Sequence, residues 1–381
     1  MNYNSKTMEK VINGDTLRQA LQARGWTQKD LANELGVTGQ AVTNWLKGAD
    51  FPRPPMLLQL ATKLQLQFSD LVLTPGQEKP VVAFRKRGNS KTTEDHIVRA
   101  MAIGSLLKPL VPFLDKQSAL RTQFAAPSTK YEPLQAMAGQ VRGLIGLGEE
   151  SVLHYDHLIK QFSSNGAVIV PVMWGEKHEH KNALHILLKQ EKVTFIFLNL
   201  DTYLEDFKFW MAHELAHVYT PELAGKDEGE DFADGFAGAL LFPRSLAKVA
   251  YAKTSQQESV QGEIKVLQEN AREHSISLYS VFCEVNKYAQ ANGLPSVRCA
   301  AKNIHAIRNN TRGRLVSESL FRPLPPKPDS FVAAAETVFG SNFFQALKRM
   351  LREHGTGPGY VQQVMDVPLP DAIALHEVLT H

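Results

Sequence analysis

The chain has 381 residues, with 42 Lys/Arg against 39 Asp/Glu and a formal charge of +3. That length exceeds one compact core and predicts two or three domains, while 43% hydrophobic and 8% aromatic residues exclude wholesale disorder. No apolar run approaches the roughly 18 residues of a membrane span. The opening MNYNSKTMEKVING lacks the apolar stretch of a signal peptide, so a cytoplasmic, nucleoid-associated protein without membrane contact is expected. Two cysteines, Cys283 and Cys299, exclude a disulfide framework and a four-thiolate metal site, and are expected to be small buried hydrophobes.

Residues 10–75 predict short helices with tight turns. Apolar residues recur at helical spacing in Leu17-Leu21, Leu31-Leu35, Val42-Trp45-Leu46, Leu57-Leu60-Ala61-Leu64 and Phe68-Leu71. Thr27 stands three residues before Asp30 as a helix start, and Gly36 and Gly48 are placed as stops. The run from Thr27 to Gly48 has the form of a helix-turn-helix, its second helix capped by Thr38. Leu31, Ala32, Leu35, Val37, Val42 and Leu46 would bury the corner, leaving Gln40, Thr43, Asn44 and Lys47 outward. Amide side chains there can read adenine edges in double-stranded DNA, and Lys47 can meet a phosphate.

This segment resembles the lambda-repressor-like (XRE) family over about residues 12–73. The resemblance implies a five-helix bundle in which Gln28 contacts the DNA backbone and Thr38, Gln40 and Asn44 face the bases. Gly39 departs from the family in offering no side chain. With only 8 basic against 6 acidic residues over positions 1–75, non-specific affinity is weak and a homodimer is expected on the operator.

Residues 76–130 read as linker and helical connector, beginning at Thr74-Pro75-Gly76 and with helix expected over 92–125. A helix over 131–147 follows. Three β-rich runs, Ala167–Met173, Ala183–Leu188 and Val193–Leu198, predict a small sheet. From Leu204 the pattern is helical to about residue 318. Phe321–Ser330, with four prolines, is expected to be a stiff extended connector to a last helical piece at 331–381. The fold class is therefore mainly α with a small β-sheet (α+β). Charge segregates: positions 190–246 hold 4 basic against 11 acidic residues, and positions 296–354 hold 10 against 4. The acidic stretch suits a cation site.

The sharpest motif is His213-Glu214-Leu215-Ala216-His217. On a helix, positions i and i+4 share a face, so both imidazoles reach one ion while Glu214 holds its water. A catalytic zinc needs three protein ligands. Glu230 supplies the third, Asp231 is a substitute, and Asp234 can accept a hydrogen bond from the far nitrogen of a ligand histidine. Zn²⁺ is the expected ion, with Mn²⁺ as the alternative. His178, Glu179, His180 and His185 lie near the sheet and could donate to an oxyanion, the first three from a solvent-facing loop. Tyr219 is read as a packing residue, and Phe343, Phe344 and Leu347 as a small core of the last piece.

The stretch from Ile196 through Phe209-Trp-Met-Ala-His-Glu-Leu-Ala-His217 to Glu230-Asp-Phe-Ala-Asp-Gly-Phe-Ala-Gly-Ala-Leu-Leu-Phe-Pro243 resembles the ImmA/IrrE metallopeptidase family. Phe242 replaces the more usual Met. The resemblance implies a gluzincin-like domain over about 131–290, followed by a helical region at 291–381. It implies His213, His217 and Glu230 as ligands, Glu214 as general base, and a repressor or other regulatory protein as substrate. The expected function is a DNA-binding transcription regulator with a zinc metalloendopeptidase domain. The alternative is a non-catalytic or antitoxin-like regulator whose peptidase-like domain senses a partner, ligand or metal.

Overall fold

The computed structural model describes residues 10–47, 49–73, 80–83, 94–115, 122–175, 183–310 and 313–381. Gly48 and the run His178-Glu179-His180 lie outside them. The chain divides into two units, at Lys79/Pro80.

In the first unit, β1 (Val11–Ile12) leads into α1 (Gly14–Ala23), α2 (Gln28–Leu35), α3 (Gly39–Leu46), α4 (Pro54–Leu64) and α5 (Phe68–Leu71), and β2 (Val72–Leu73) closes the bundle. The local chemistry is as the sequence implies. Thr27 and Asp30 form a reciprocal cap on α2, Gly36 ends that helix at φ 65°, and Thr38 caps α3. Leu31, Ala32, Leu35, Val42, Trp45 and Leu46 are buried in the core, with Val37 packed against it. The antiparallel pairing of β1 with β2 is unanticipated. Two-residue strands carry no readable alternation and exist only through their partner.

The second unit is built on a four-stranded sheet in the order β3-β5-β6-β4, from β3 (Val81–Ala83), β4 (Ala167–Val172), β5 (Ala183–Leu188) and β6 (Val193–Asn199). β6 runs parallel to β4 and antiparallel to β5, which pairs antiparallel with β3. Three of these strands are the expected ones. The fourth corrects the reading of residues 76–130 as linker and helical connector, because Val81-Val82-Ala83 adds to the β5 edge. The helix expected over 92–125 is α6 (Glu94–Leu107), after which a 3₁₀ turn at Lys108–Phe113 takes over. Pro109 and Pro112 withdraw the amide hydrogens that an α-helix needs there.

Helices cover both faces of the sheet. α6 lies on one face, where a Cβ on Gly104 would come within 3.0 Å of Ile186. α7 (Tyr131–Ile145) and α8 (Tyr155–Ser164) precede β4, and α9 (Leu204–Tyr219) and α10 (Asp227–Leu241) follow β6. α9 packs on the other face, with α10 against it and α7 against α10. The chain continues through α11 (Arg244–Ser255), α12 (Val260–His274), α13 (Leu278–Ala291), α14 (Ala301–Asn310), α15 (Val316–Leu320), α16 (Pro328–Thr337), α17 (Phe343–His354), α18 (Pro358–Met365) and α19 (Leu369–Thr380).

The last of these helices are not an appendage. Phe343, Phe344 and Leu347 are buried in the same core as the sheet, not in a small core of their own. Trp174 Nε1 donates to the Met365 carbonyl, and the Ser341 hydroxyl donates to the Ile169 carbonyl of β4. The extended connector is also shorter than expected, because Pro328 is the first residue of α16, a position where its missing N–H costs nothing. Cys299 is buried as expected, whereas Cys283 is only half-buried. No helix among the described residues is long and apolar enough to cross a membrane.

Candidate functional site

In the second unit, α9 carries His213, Glu214 and His217 on a helix whose residues from Trp210 to Tyr219 are all buried. Their depth follows from Trp210-Met-Ala-His-Glu-Leu-Ala-His217, in which only the motif residues are polar. Glu230 sits in the first turn of α10, with acidic neighbours Asp227 and Glu228, where the helix dipole favours carboxylates.

His213, His217 and Glu230 each turn one donor atom to a common point, all within 4.8 Å of one another. The imidazole Nε2 atoms are 3.2 Å apart. Glu230 Oε2 lies 3.4 Å from His213 Nε2, and its Oε1 lies 3.3 Å from His217 Nε2. Each Glu230 oxygen faces one ring, and donors bonded at about 2.0–2.1 Å to one tetrahedral ion are separated by about 3.3 Å, so the spacing has room for one metal ion between the three side chains. Asp234, one turn along α10, meets His213 Nδ1 at 2.9 Å through Oδ1, fixing the ring so that Nε2 faces the other donors. Asp231 is exposed, and the carboxylate that converges with the two histidines is that of Glu230.

The electrostatics suit a cation. Burial works against protonating His213, but the Asp234 and Glu230 carboxylates outweigh it and hold the ring up at about 9. Glu230 is likewise opposed by burial, yet the two histidines draw it down to about 2. Burial pushes the Glu214 carboxyl up to about 8, against the pull of His213 and with the help of the Glu230 charge. Burial thus favours the neutral form of Glu214, while the two histidines favour the charged form of Glu230. A dication on the same donors would compensate both carboxylates and let Glu214 ionise. Both Glu230 oxygens and Glu214 Oε2 lack hydrogen-bond partners, although such buried acceptors are expensive to leave unmet.

His185 is the residue whose place the sequence did not disclose. It lies at the middle of β5, 1% exposed, with Nδ1 3.7 Å from Glu214 Oε2 and its ring edge-on to His217 at 5.5 Å. Burial, then the neighbouring His217, holds its pKa well below the usual histidine value. The visible signal was one polar residue within the apolar run Ala-Leu-His-Ile-Leu-Leu. Tyr219 plays the packing role: its hydroxyl donates to Gln161 Oε1, and its ring packs on Phe124 and Phe236.

In the first unit, Gln28, Thr38, Gln40 and Lys47 are exposed, and Thr43 and Asn44 are half-exposed. Thr43 donates to Gln28 Oε1 across the corner between α2 and α3, and Gln40 Nε2 donates to Asn44 Oδ1 at 2.9 Å. These residues therefore form one polar surface along α3 and the start of α2.

Comparison with known families bears on this unit alone: a helix-turn-helix family model matches residues 17–71. The match makes the first unit a helix-turn-helix module of the XRE type and marks the chain as a DNA-binding transcription regulator. No curated protein matches the chain.

Proposed function

We propose that the chain is a transcription regulator whose second unit is a zinc-dependent peptidase of the ImmA/IrrE kind, acting on a repressor or another regulatory protein. The observation that carries this reading is the triangle of His213, His217 and Glu230 donors with Glu214 beside it. His213, His217 and Glu230 would hold the ion, and Asp234 would orient His213. A bound zinc supplies Lewis acidity, polarising a scissile carbonyl and acidifying water. Glu214 would take the proton of the attacking water and deliver it to the leaving amine. The first unit would place this chemistry at an operator, with Gln28, Thr38, Gln40, Thr43, Asn44 and Lys47 toward the DNA.

One observation favours a second reading, a metal-holding sensor without catalysis: His213, Glu214, His217 and Glu230 are all buried. Two substitutions separate the readings. Glu214→Gln keeps the size of the side chain and all three donors but removes the base, while His213→Ala removes a donor. In a transcription reporter assay, a peptidase loses regulation in both variants, with zinc retained by Glu214→Gln. A sensor keeps regulation in Glu214→Gln and loses it in His213→Ala. About one zinc per chain is expected in the wild type, and equal content in wild type and His217→Ala by elemental analysis would reject the metal site altogether.

A further inference from the structure

β5 carries His185 between two partners. Its register places Ala83 of β3 on one side and Ile196 of β6 on the other, so the backbone is held by ladders at both edges. Alternation then decides where each side chain goes. Ile186 faces α6, where Gly104 makes room for it. His185 faces α9 and meets Glu214 and His217. Ala183 and Leu187 share that face of the strand, and an aliphatic side chain at position 185 would fill the space without the cost of burying two ring nitrogens.

Both nitrogens of His185 lack hydrogen-bond partners, and so does Glu214 Oε2, the carboxylate atom nearest to them. The separation of 3.7 Å is about half an ångström beyond hydrogen-bonding reach, a gap that a small torsional change closes. His185 does not belong to the donor triangle, whose members are His213, His217 and Glu230. Its reach is to the base and not to the ion.

We infer that His185 is a positioning residue for Glu214: it donates a ring N–H to Oε2 and holds the carboxyl at the angle from which it accepts a proton on a metal-bound oxygen ligand. The role rests on the peptidase reading above and adds to it a residue outside the motif. A hydrogen bond from a ring pinned in a sheet fixes the carboxyl more firmly than the torsions of a glutamate alone. His185 acts through Glu214, so it has no effect where that carboxylate is missing.

The test uses the full chain loaded with Co²⁺ and titrated with acetohydroxamate, followed by visible absorption. A hydroxamate chelates the ion and hands its hydroxyl proton to a neighbouring carboxylate, so its affinity reports Glu214 without any protein substrate. His185→Leu fills the space and removes the donor, whereas His185→Gln keeps a donor. We expect His185→Leu to weaken hydroxamate binding by roughly tenfold or more while Co²⁺ affinity stays within about threefold, and His185→Gln to stay near the wild type. In a Glu214→Gln background, His185→Leu should cost nothing further.

Equal affinities for the Leu and Gln variants and the wild type would overturn the role. Additive losses in the Glu214→Gln background would do so too. Loss of Co²⁺ itself on His185→Leu would make the residue a ligand or a packing element instead. If His185→Leu does not fold, His185→Met, which also fills the space and removes the donor, takes its place: a roughly tenfold loss of hydroxamate affinity beside a near wild-type His185→Gln upholds the role, and wild-type affinity in His185→Met rejects it. A wild type that takes up no Co²⁺ or Zn²⁺ refutes the metal reading, whereas the other failures leave that reading standing.

Discussion

Single side chains in this protein are placed where their chemistry is costly unless it is used or matched. Lys208 is one: it is 1% exposed, its Nζ donates to the His274 carbonyl at 2.6 Å, and it stands 5.0 Å from the centre of the Tyr155 ring. Burial lowers its pKa from 10.5 to about 8. Between those values the unfolded chain binds the proton and the folded chain has lost it, so stability rises with pH across the window, by at most about 1.4 kcal/mol per unit. Below pH 8 both states are protonated and the full penalty of burying the charge remains. Lys208→Met should therefore flatten the rise between pH 8 and pH 10 in urea-melt stabilities compared with the wild type. An unchanged slope would mean that the ammonium is not desolvated.

The same scale governs the proposed DNA contacts. Gln40 Nε2 gives one hydrogen to Asn44 Oδ1, so the two amides are held side by side with Gln40 Oε1 and Asn44 Nδ2 unused by that bond. An acceptor beside a donor matches the N6 amino group and N7 of adenine. Asn44→Ala removes half of that pair and should weaken specific binding by ~1–3 kcal/mol, with the preference relaxed at one base position. Lys47→Ala should weaken all sequences alike and reduce the salt dependence. Titration of an operator set by fluorescence anisotropy separates the two patterns, and equal losses on every sequence for Asn44→Ala would place the pair away from the bases.

At the scale of elements, the candidate site depends on how closely α10 approaches its neighbours. A Cβ on Gly229 would stand 2.2 Å from the Leu223 carbonyl oxygen, a backbone atom that cannot swing aside. Alanine normally favours a helix over glycine by about 1 kcal/mol, but here overpacking of ~1–3 kcal/mol works against it. Gly229→Ala should lower the melting temperature and, by moving Glu230 next to it, weaken zinc uptake. Gly143→Ala in α7, where a Cβ meets nothing within 4 Å, should instead be neutral or stabilising. Zinc affinity of Gly229→Ala equal to that of Gly143→Ala would show that the start of α10 does not position the ligand.

What was legible in the sequence follows from the same distinction between local and distant causes. The caps at Thr27 and Thr38, the i, i+4 histidines and the carboxylates at 230 and 234 are set by spacing along one helix, so the motif discloses them. β3 is not legible, because three residues show no period and owe their conformation to a strand a hundred positions away. His185 is half legible: a polar residue in an apolar strand marks something unusual, but which face it takes depends on the register with β6. The first turn of α16 was hidden by Pro328, a residue that suits a helix start as well as an extended chain.

At the scale of the whole molecule, each unit has its own core. Ile12, Leu17, Leu31, Val42, Trp45, Leu60 and Leu71 belong to one, and the sheet with its surrounding helices belongs to the other. The second core extends to the last helix, since Leu375 and Leu379 of α19 are buried in it. Removing residues 338–381 takes away Phe343, Phe344 and Leu347, each 0% exposed, and each worth about 1.5–3 kcal/mol of burial. It also strips the Met365 carbonyl from Trp174 and the Ser341 hydroxyl from β4. The sum approaches the whole stability of an ordinary domain, about 5–15 kcal/mol. A chain ending at Thr337 should therefore lose the cooperative melt of the second unit and its zinc, because β5 and α9 are fixed by that core. The transition of the first unit should survive, matching that of a fragment of residues 1–79. Calorimetry on the three chains checks this, and stoichiometric zinc in the shortened chain would make the last helices a separate appendage after all.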